Sequence, residues 1–232
     1  MRYAVLATAL VVLGCSKGHQ ETHDKPTDPR PNMAADPRAI AILEESAAAY
    51  RSLETYQDEI LIASSGRNMM PRQAFGKTLY ANDGRFLFEV SSQDPYGSGT
   101  TVSRVWANDG KVYATSFMNS GKKESSIFEA LESIKEPSAY ASILVPSLLF
   151  QDEFLNHSLF DRMKAPQLEK ELELAGETFI HIADPDGYSV LISERTKLIK
   201  RIFLPNNSGM VDIQATANEP LASFEVGDQP GG

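Results

Sequence analysis

Gly97-Ser98-Gly99 sets a serine between two glycines, the kind of turn that could expose a nucleophile, but the Gly-x-Ser-x-Gly frame of an esterase elbow is absent. The same stretch lacks the Lys-Ser/Thr pair that a phosphate-binding loop requires. His157 and His181 are the two histidines of the chain's main body, and neither has a nucleophile or carboxylate at motif spacing, so a general base is not indicated. Asp184-Pro185-Asp186-Gly187 has the look of a calcium loop without the further acidic positions, and a hairpin turn explains it. Glu129, Glu132 and Glu136 recur at helical spacing and read as a wet face. His19 and His23 stand four apart in a proline-rich stretch with no third ligand. No catalytic residue, metal or cofactor is therefore expected. With 22 Lys and Arg against 31 Asp and Glu, net charge -9, a basic footprint for nucleic acid is also missing.

Cys15 is the single cysteine, so one chain cannot form a disulfide framework or a thiolate cage, and its meaning comes from its position. Residues 1–14 read as a signal segment: Arg2, then an apolar run over residues 3–13, then Gly14. Eleven residues rise only about 16 Å as a helix, roughly half of a bilayer core, so the run does not span. Val12-Leu13-Gly14-Cys15 resembles the bacterial lipobox, which implies cleavage and lipidation at Cys15. A soluble exported chain whose signal ends near a cysteine is the plainer alternative. Residues 15–35 carry Pro26, Pro29 and Pro31 among polar residues and read as a disordered tether with an r.m.s. reach near 25 Å. Ser16 after the cysteine suggests the outer membrane, with the body held in the periplasm.

The elements that would position any site occupy residues 36–232, one domain. Asp36-Pro37 supplies an N-cap and a first-turn proline, and Ile40, Leu43, Ala47, Tyr50 and Leu53 follow at steps of three and four. This predicts an amphipathic helix. From Tyr56 the period becomes two: Tyr56, Asp58, Ile60 and Ile62 share one face. Ala-Asn-Asp-Gly occurs at 81–84 and again at 107–110, each time between apolar runs, which predicts tight antiparallel hairpins. Strands are expected near 56–64, 72–81, 85–92, 101–107 and 111–117, then near 170–174, 177–183, 187–193, 197–204 and 210–216. The fold class is α+β: a single curved antiparallel sheet, an incomplete β-barrel, with an N-terminal helix.

A helical insert of about 125–161 interrupts the strands. Ile127, Phe128, Leu131 and Ile134 make a stripe, and beyond Pro137 the run Tyr140, Ile143, Leu144, Val145, Pro146, Leu148, Leu149 and Phe150 is apolar on nearly every side. Such a stretch is enclosed by protein or faces a hydrophobic ligand, and here it is expected to cover the concave face of the sheet.

Tyr50-Arg51-Ser52-Leu53 with Tyr56, the segment 105–111 around Trp106, Leu144-Val145-Pro146 with Leu148-Leu149, Val190-Leu191-Ile192 before 198–201, and the closing Asn218, Pro220, Leu221 and Phe224 together resemble the lipoprotein-localisation family, LolA and LolB-like, and a group of periplasmic proteins of that fold. The likeness runs over roughly 36–226. It lacks an aromatic near 190–192 and the family's protruding loop. The resemblance implies a half-barrel whose apolar interior takes acyl chains. By alternation the lining would be Ile60, Ile62, Phe75, Leu79, Phe86, Phe88, Val102, Trp106, Phe128, Ile143, Leu144, Leu148, Phe179 and Ile202, each of which is equally a core residue on its own. Arg104, on a strand face with Val102 and Trp106, is a candidate headgroup or lid contact, set against a solvated outer face. The expected function is thus a membrane-tethered, monomeric lipoprotein, not an enzyme, that binds a lipid or lipoprotein acyl chains as an acceptor or local handler. The alternative is an envelope interaction or sensing domain of the same fold without a lipid.

Overall fold

In the computed structural model the described residues are 34–64, 72–93, 99–116, 119–135, 138, 140–154, 157–185 and 187–221. The signal segment, Cys15, His19, His23, Gly97, Ser98, Pro137 and Phe224 lie outside them. Asp36 caps helix α1 (Pro37–Arg51), its carboxylate accepting from the Arg38 N–H at 2.8 Å. Ala39, Leu43, Ala47 and Tyr50 form the buried stripe of α1, whereas Ile40 points outward.

Among the described residues eleven strands follow: β1 (Thr55–Ser64), β2 (Arg72–Ala81), β3 (Phe86–Gln93), β4 (Thr100–Asn108), β5 (Lys111–Ser116), β6 (Asn119–Glu124), β7 (Gln167–Leu174), β8 (Glu177–Ala183), β9 (Ser189–Ser193), β10 (Ile199–Phe203) and β11 (Gly209–Ala217). They form one antiparallel sheet in the order β6-β5-β4-β3-β2-β1-β11-β10-β9-β8-β7, open at both ends. Each half is a meander of neighbouring hairpins, and β1 with β11 joins the halves over nine residue pairs, from Tyr56 with Ala217 to Ser64 with Gly209. The tight turns at 82–84 and 109–110 sit where Asn-Asp-Gly predicts them, with Gly84 and Gly110 both at positive φ.

Strand β6 is absent from the sequence-based expectation. Asn119-Ser120-Gly121-Lys122-Lys123-Glu124 has no apolar alternation, and pairing with β5 alone makes it an edge strand, where lysines discourage further pairing.

Between β6 and β7 lies the insert: α2 (Ile127–Ser133), α3 (Ala141–Leu144), a 3-10 turn over Pro146–Leu148, and α4 (Leu159–Arg162). Pro146 cannot continue α3, so the chain breaks there. Tyr140, predicted apolar and covered, is instead the exposed left-handed residue before α3. The insert and α1 pack on one face of the sheet in a single apolar core that includes Tyr50, Phe86, Phe88, Leu131, Leu148, Phe154 and Ile202.

Candidate functional site

The register decides which residues can share a surface. Ile60 lies opposite Gly76 and Gly76 opposite Val90; Ile62, Ala74 and Ser92 form the neighbouring inner row on one side, and Asp58, Thr78 and Phe88, then Tyr56, Tyr80 and Phe86, the rows on the other. Small residues here make room for large ones: a Cβ on Gly76 would stand 2.8 Å from the Ile60 side chain and 2.7 Å from the Glu89 carbonyl oxygen. Ile60, Ile62, Phe86, Phe88, Ile143, Leu144, Leu148 and Ile202 are all brought together on this inner face, and Phe128 packs at its margin.

The remaining candidates are elsewhere. In β2 and β4 the sequence-based alternation is out of phase with that of β1 and β3. Phe75, Leu79, Val102 and Trp106 therefore project from the outer face, because Phe75 pairs with Leu61 and Ser91, and Leu79 with Gln57 and Leu87. Phe75 is 59% exposed and Val102 47%. Leu79, Leu87 and Trp106 make a small outer cluster in which the indole stacks on Tyr113 with ring centroids 5.3 Å apart. Arg104 also faces outward. Its guanidinium binds Glu89 directly across the ladder, and Lys77 reaches the same carboxylate at 3.6 Å, so it touches neither the insert nor an inner ligand. His181 lies on the outer face with its ring edge-on to Phe203, and His157 sits in the insert on the inner side beside Phe128. The sheet separates them. Among the described residues no group of three or more His, Cys, Asp or Glu gathers at metal-binding distance, and no helix is long and apolar enough to cross a membrane.

The expected hollow under the insert is occupied by the insert's own side chains. Leu131, Leu144, Leu148, Phe154 and Leu159 are each at most 2% exposed and belong to the same core as the sheet residues they cover. The buried serines of the insert are hydrogen-bonded within it. The Ser142 hydroxyl donates to the Leu131 carbonyl at 2.9 Å, and the Ser147 hydroxyl donates to the Leu144 carbonyl while accepting from the Leu159 N–H. Ser158 and Asp161 form a reciprocal cap on α4. Gln151 links the insert to α1: its amide nitrogen donates to the Ala47 carbonyl at 3.0 Å and its oxygen accepts from Arg51 at 2.7 Å.

A second feature lies beside the seam of the two meanders, between β10 and β11. Strands β10 and β11 pair over only three positions, Arg201 with Asp212 to Phe203 with Met210. At Lys200 the β9–β10 register shifts, a bulge that turns β10 aside, and β11 runs on to Ala217 with β1 as its ladder partner. The parting leaves a cleft of about 890 Å³ with β11, β1 and β2 on one wall and residues 193–200 with Phe179 on the other. Ala49 near the end of α1, with Ser52 and Leu53 just beyond it, forms part of its lining. Leu79 and Phe179, both expected to line a lipid hollow, line this cleft instead.

A chain of buried hydroxyls ties the parted halves from beneath. The Ile199 N–H donates to the Tyr50 hydroxyl at 3.1 Å, Tyr50 is hydrogen-bonded to Tyr56, and the Tyr56 hydroxyl donates to Asp58 at 2.8 Å. Asp58 also accepts from the Thr78 N–H at 2.7 Å. Burial pushes the Asp58 carboxyl up to about 7, against the pull of these donors, and burial together with the Asp58 charge raises the Tyr56 phenol. The sequence carried a signal for this site in one place: Asp58 is the acidic residue on the otherwise apolar face of β1.

No family model and no curated protein matches the chain. Among solved structures the chain is similar to LprF from Mycobacterium bovis, at 13% identity and a TM-score of 0.47, covering 82% of this chain and 97% of that one. It is also similar to MucB, at 14% identity and 0.46, covering 84% of this chain and 64% of that one. A LolA superfamily protein from Nitrosomonas europaea aligns at 9% identity and 0.31, over 79% and 94% respectively.

Proposed function

We propose that this protein is a non-enzymatic binder of acyl chains, in which a lipid or a lipoprotein's chains lodge against the inner face of the sheet when the helical insert lifts. The observation that carries the reading is the division of bonding just described. The insert's buried serines are hydrogen-bonded within it, its contact with the sheet is apolar, and Gln151 forms its polar link to α1. Lifting it therefore exposes apolar surface and few unpaired polar groups. A lift confined to the stretch from α3 to Phe154 keeps the exchange close to balanced. Five buried side chains there, Ile143, Leu144, Leu148, Leu149 and Phe154, are worth about 2 kcal/mol each. A 16-carbon chain gains on the order of 10 kcal/mol at about 0.8 per methylene, before ordering costs.

In this reading Ile60, Ile62, Phe86, Phe88, Phe128, Ile143, Leu144, Leu148 and Ile202 contact the ligand. Cys15 carries the lipid anchor, the tether holds the body near the outer membrane on its periplasmic side, and the short leash suits an acceptor or local handler rather than a shuttle. The test is native mass spectrometry of residues 34–232 after incubation with membrane lipid extract. A co-purifying lipid that is lost in Leu148→Glu or Phe88→Glu is the expected result. Absence of any lipid adduct on the unaltered protein refutes it. The filled core favours a second reading, an interaction or sensing domain with no lipid, and that outcome would select it.

A further inference from the structure

The cleft between β10 and β11 differs in kind from the inner face, because part of its wall is main chain. Beyond Asp212 the residues Ile213 to Ala217 are laddered to β1 on one side only. Their other backbone edge faces the cleft. On the far side Lys200 is the bulge residue, and the Ile199 N–H is already taken by Tyr50. A strand edge of this length presents alternating N–H and C=O groups over about 17 Å, the template that an added strand uses.

We infer that the cleft is a strand-addition site, in which an extended segment of a partner protein pairs antiparallel or parallel with Ile213 to Ala217. An acyl chain suits the site poorly, because it would desolvate the edge groups without bonding them. A peptide main chain bonds them. The lining sets the side-chain preference. Leu53, Leu198 and Ala215 offer apolar contact below, while Lys77, Arg195 and Thr216 line the cleft with polar groups, so alternating apolar and polar residues fit. The volume, about 890 Å³, is at the upper end for compact ligand pockets, as a short extended segment needs. Asn218 and Glu219 line one end of the cleft but are held to β1: Asn218 donates its N–H to the Thr55 carbonyl at 2.9 Å, and the Thr55 hydroxyl donates to the Glu219 carbonyl at 2.8 Å.

The test uses the full chain and the capped peptide acetyl-Lys-Val-Thr-Val-Thr-Val-Lys-amide as probe, read by amide hydrogen exchange. Saturating peptide should slow exchange at alternate amides of residues 213–217 at least tenfold and leave the β1 ladder unchanged. A peptide N-methylated at all five internal residues should bind at least tenfold more weakly. Thr216→Trp, which fills the cleft from its wall, should lose the protection while its melting temperature stays that of the unaltered protein. If that variant fails to fold, the N-methylated peptide decides alone. Unchanged exchange at 213–217, equal binding of the N-methylated peptide, or amides already protected in the free chain through its own tail or a second copy would each overturn the inference. None of these outcomes bears on acyl-chain binding at the inner face.

Discussion

Replacing Asp58 with asparagine should remove a pH dependence that the native fold carries at its centre. In the folded chain the carboxyl titrates near 7, whereas the ordinary value is 3.8, and the cause is burial, opposed by hydrogen bonds from Tyr56 and Thr78. Because the folded value is raised, the folded state holds a proton between about pH 4 and pH 7 that the unfolded chain has released. Stability therefore falls as pH rises through that window and levels off above it. The full gap corresponds to about 4 kcal/mol, and within the window the slope approaches about 1.4 kcal/mol per pH unit. Asparagine keeps the shape and an acceptor for the Thr78 N–H but never ionises. Other carboxylates titrate in both proteins, so the informative quantity is the difference between them. Urea unfolding of residues 34–232 and of Asp58→Asn, from pH 4 to pH 8, should show the variant gaining on the native protein by about 4 kcal/mol across that range, with most of the gain below pH 7. A difference that stays flat from pH 4 to pH 8 would refute the reasoning, since it would mean that Asp58 ionises in the fold as easily as in the unfolded chain.

Tyr50→Phe leaves the Ile199 N–H without its partner beneath the cleft and should cost about 1–3 kcal/mol, measured by urea unfolding, with faster amide exchange at Ile199. Gly76→Val drives a side chain into Ile60 and the Glu89 carbonyl and should cost at least about 1–3 kcal/mol, read from the shift in melting temperature.

Where local chemistry dictates local structure, the sequence was readable. The capped start of α1, the period of two in β1 and the Asn-Asp-Gly turns all fall where expected, because a cap, an alternation or a left-handed turn needs only a few adjacent residues. The inner face was read correctly for Ile60, Ile62, Phe86 and Phe88, whose strands are strongly apolar on one side. The phase failed in β2 and β4. Gly76 holds an inner position in β2 because Ile60 and the Glu89 carbonyl fill the space, and Ser103 holds one in β4, so the apolar residues Phe75, Leu79, Val102 and Trp106 mark the outer face instead. β6 was missed because an edge strand can be polar throughout. The cleft was beyond reach for a different reason. It arises from a bulge at Lys200 and from the pairing of strands about 150 residues apart, and neither leaves a mark in a short window of sequence.

The placement of β1 beside β11 has a consequence for how the chain acquires its shape. The first and last strands are neighbours in the middle of the sheet, so their contact has the largest sequence separation in the sheet and the greatest loop-closure cost. Each meander can assemble from local turns, but a chain made from its N-terminus cannot zip the two together until residue 217 has emerged. Until then the free side of β1, with Ile60 and Ile62 along it, is an open invitation to wrong pairing. The nascent chain should therefore depend on helpers that shield strand edges, and a truncation that removes β11 should aggregate rather than survive as a smaller folded body.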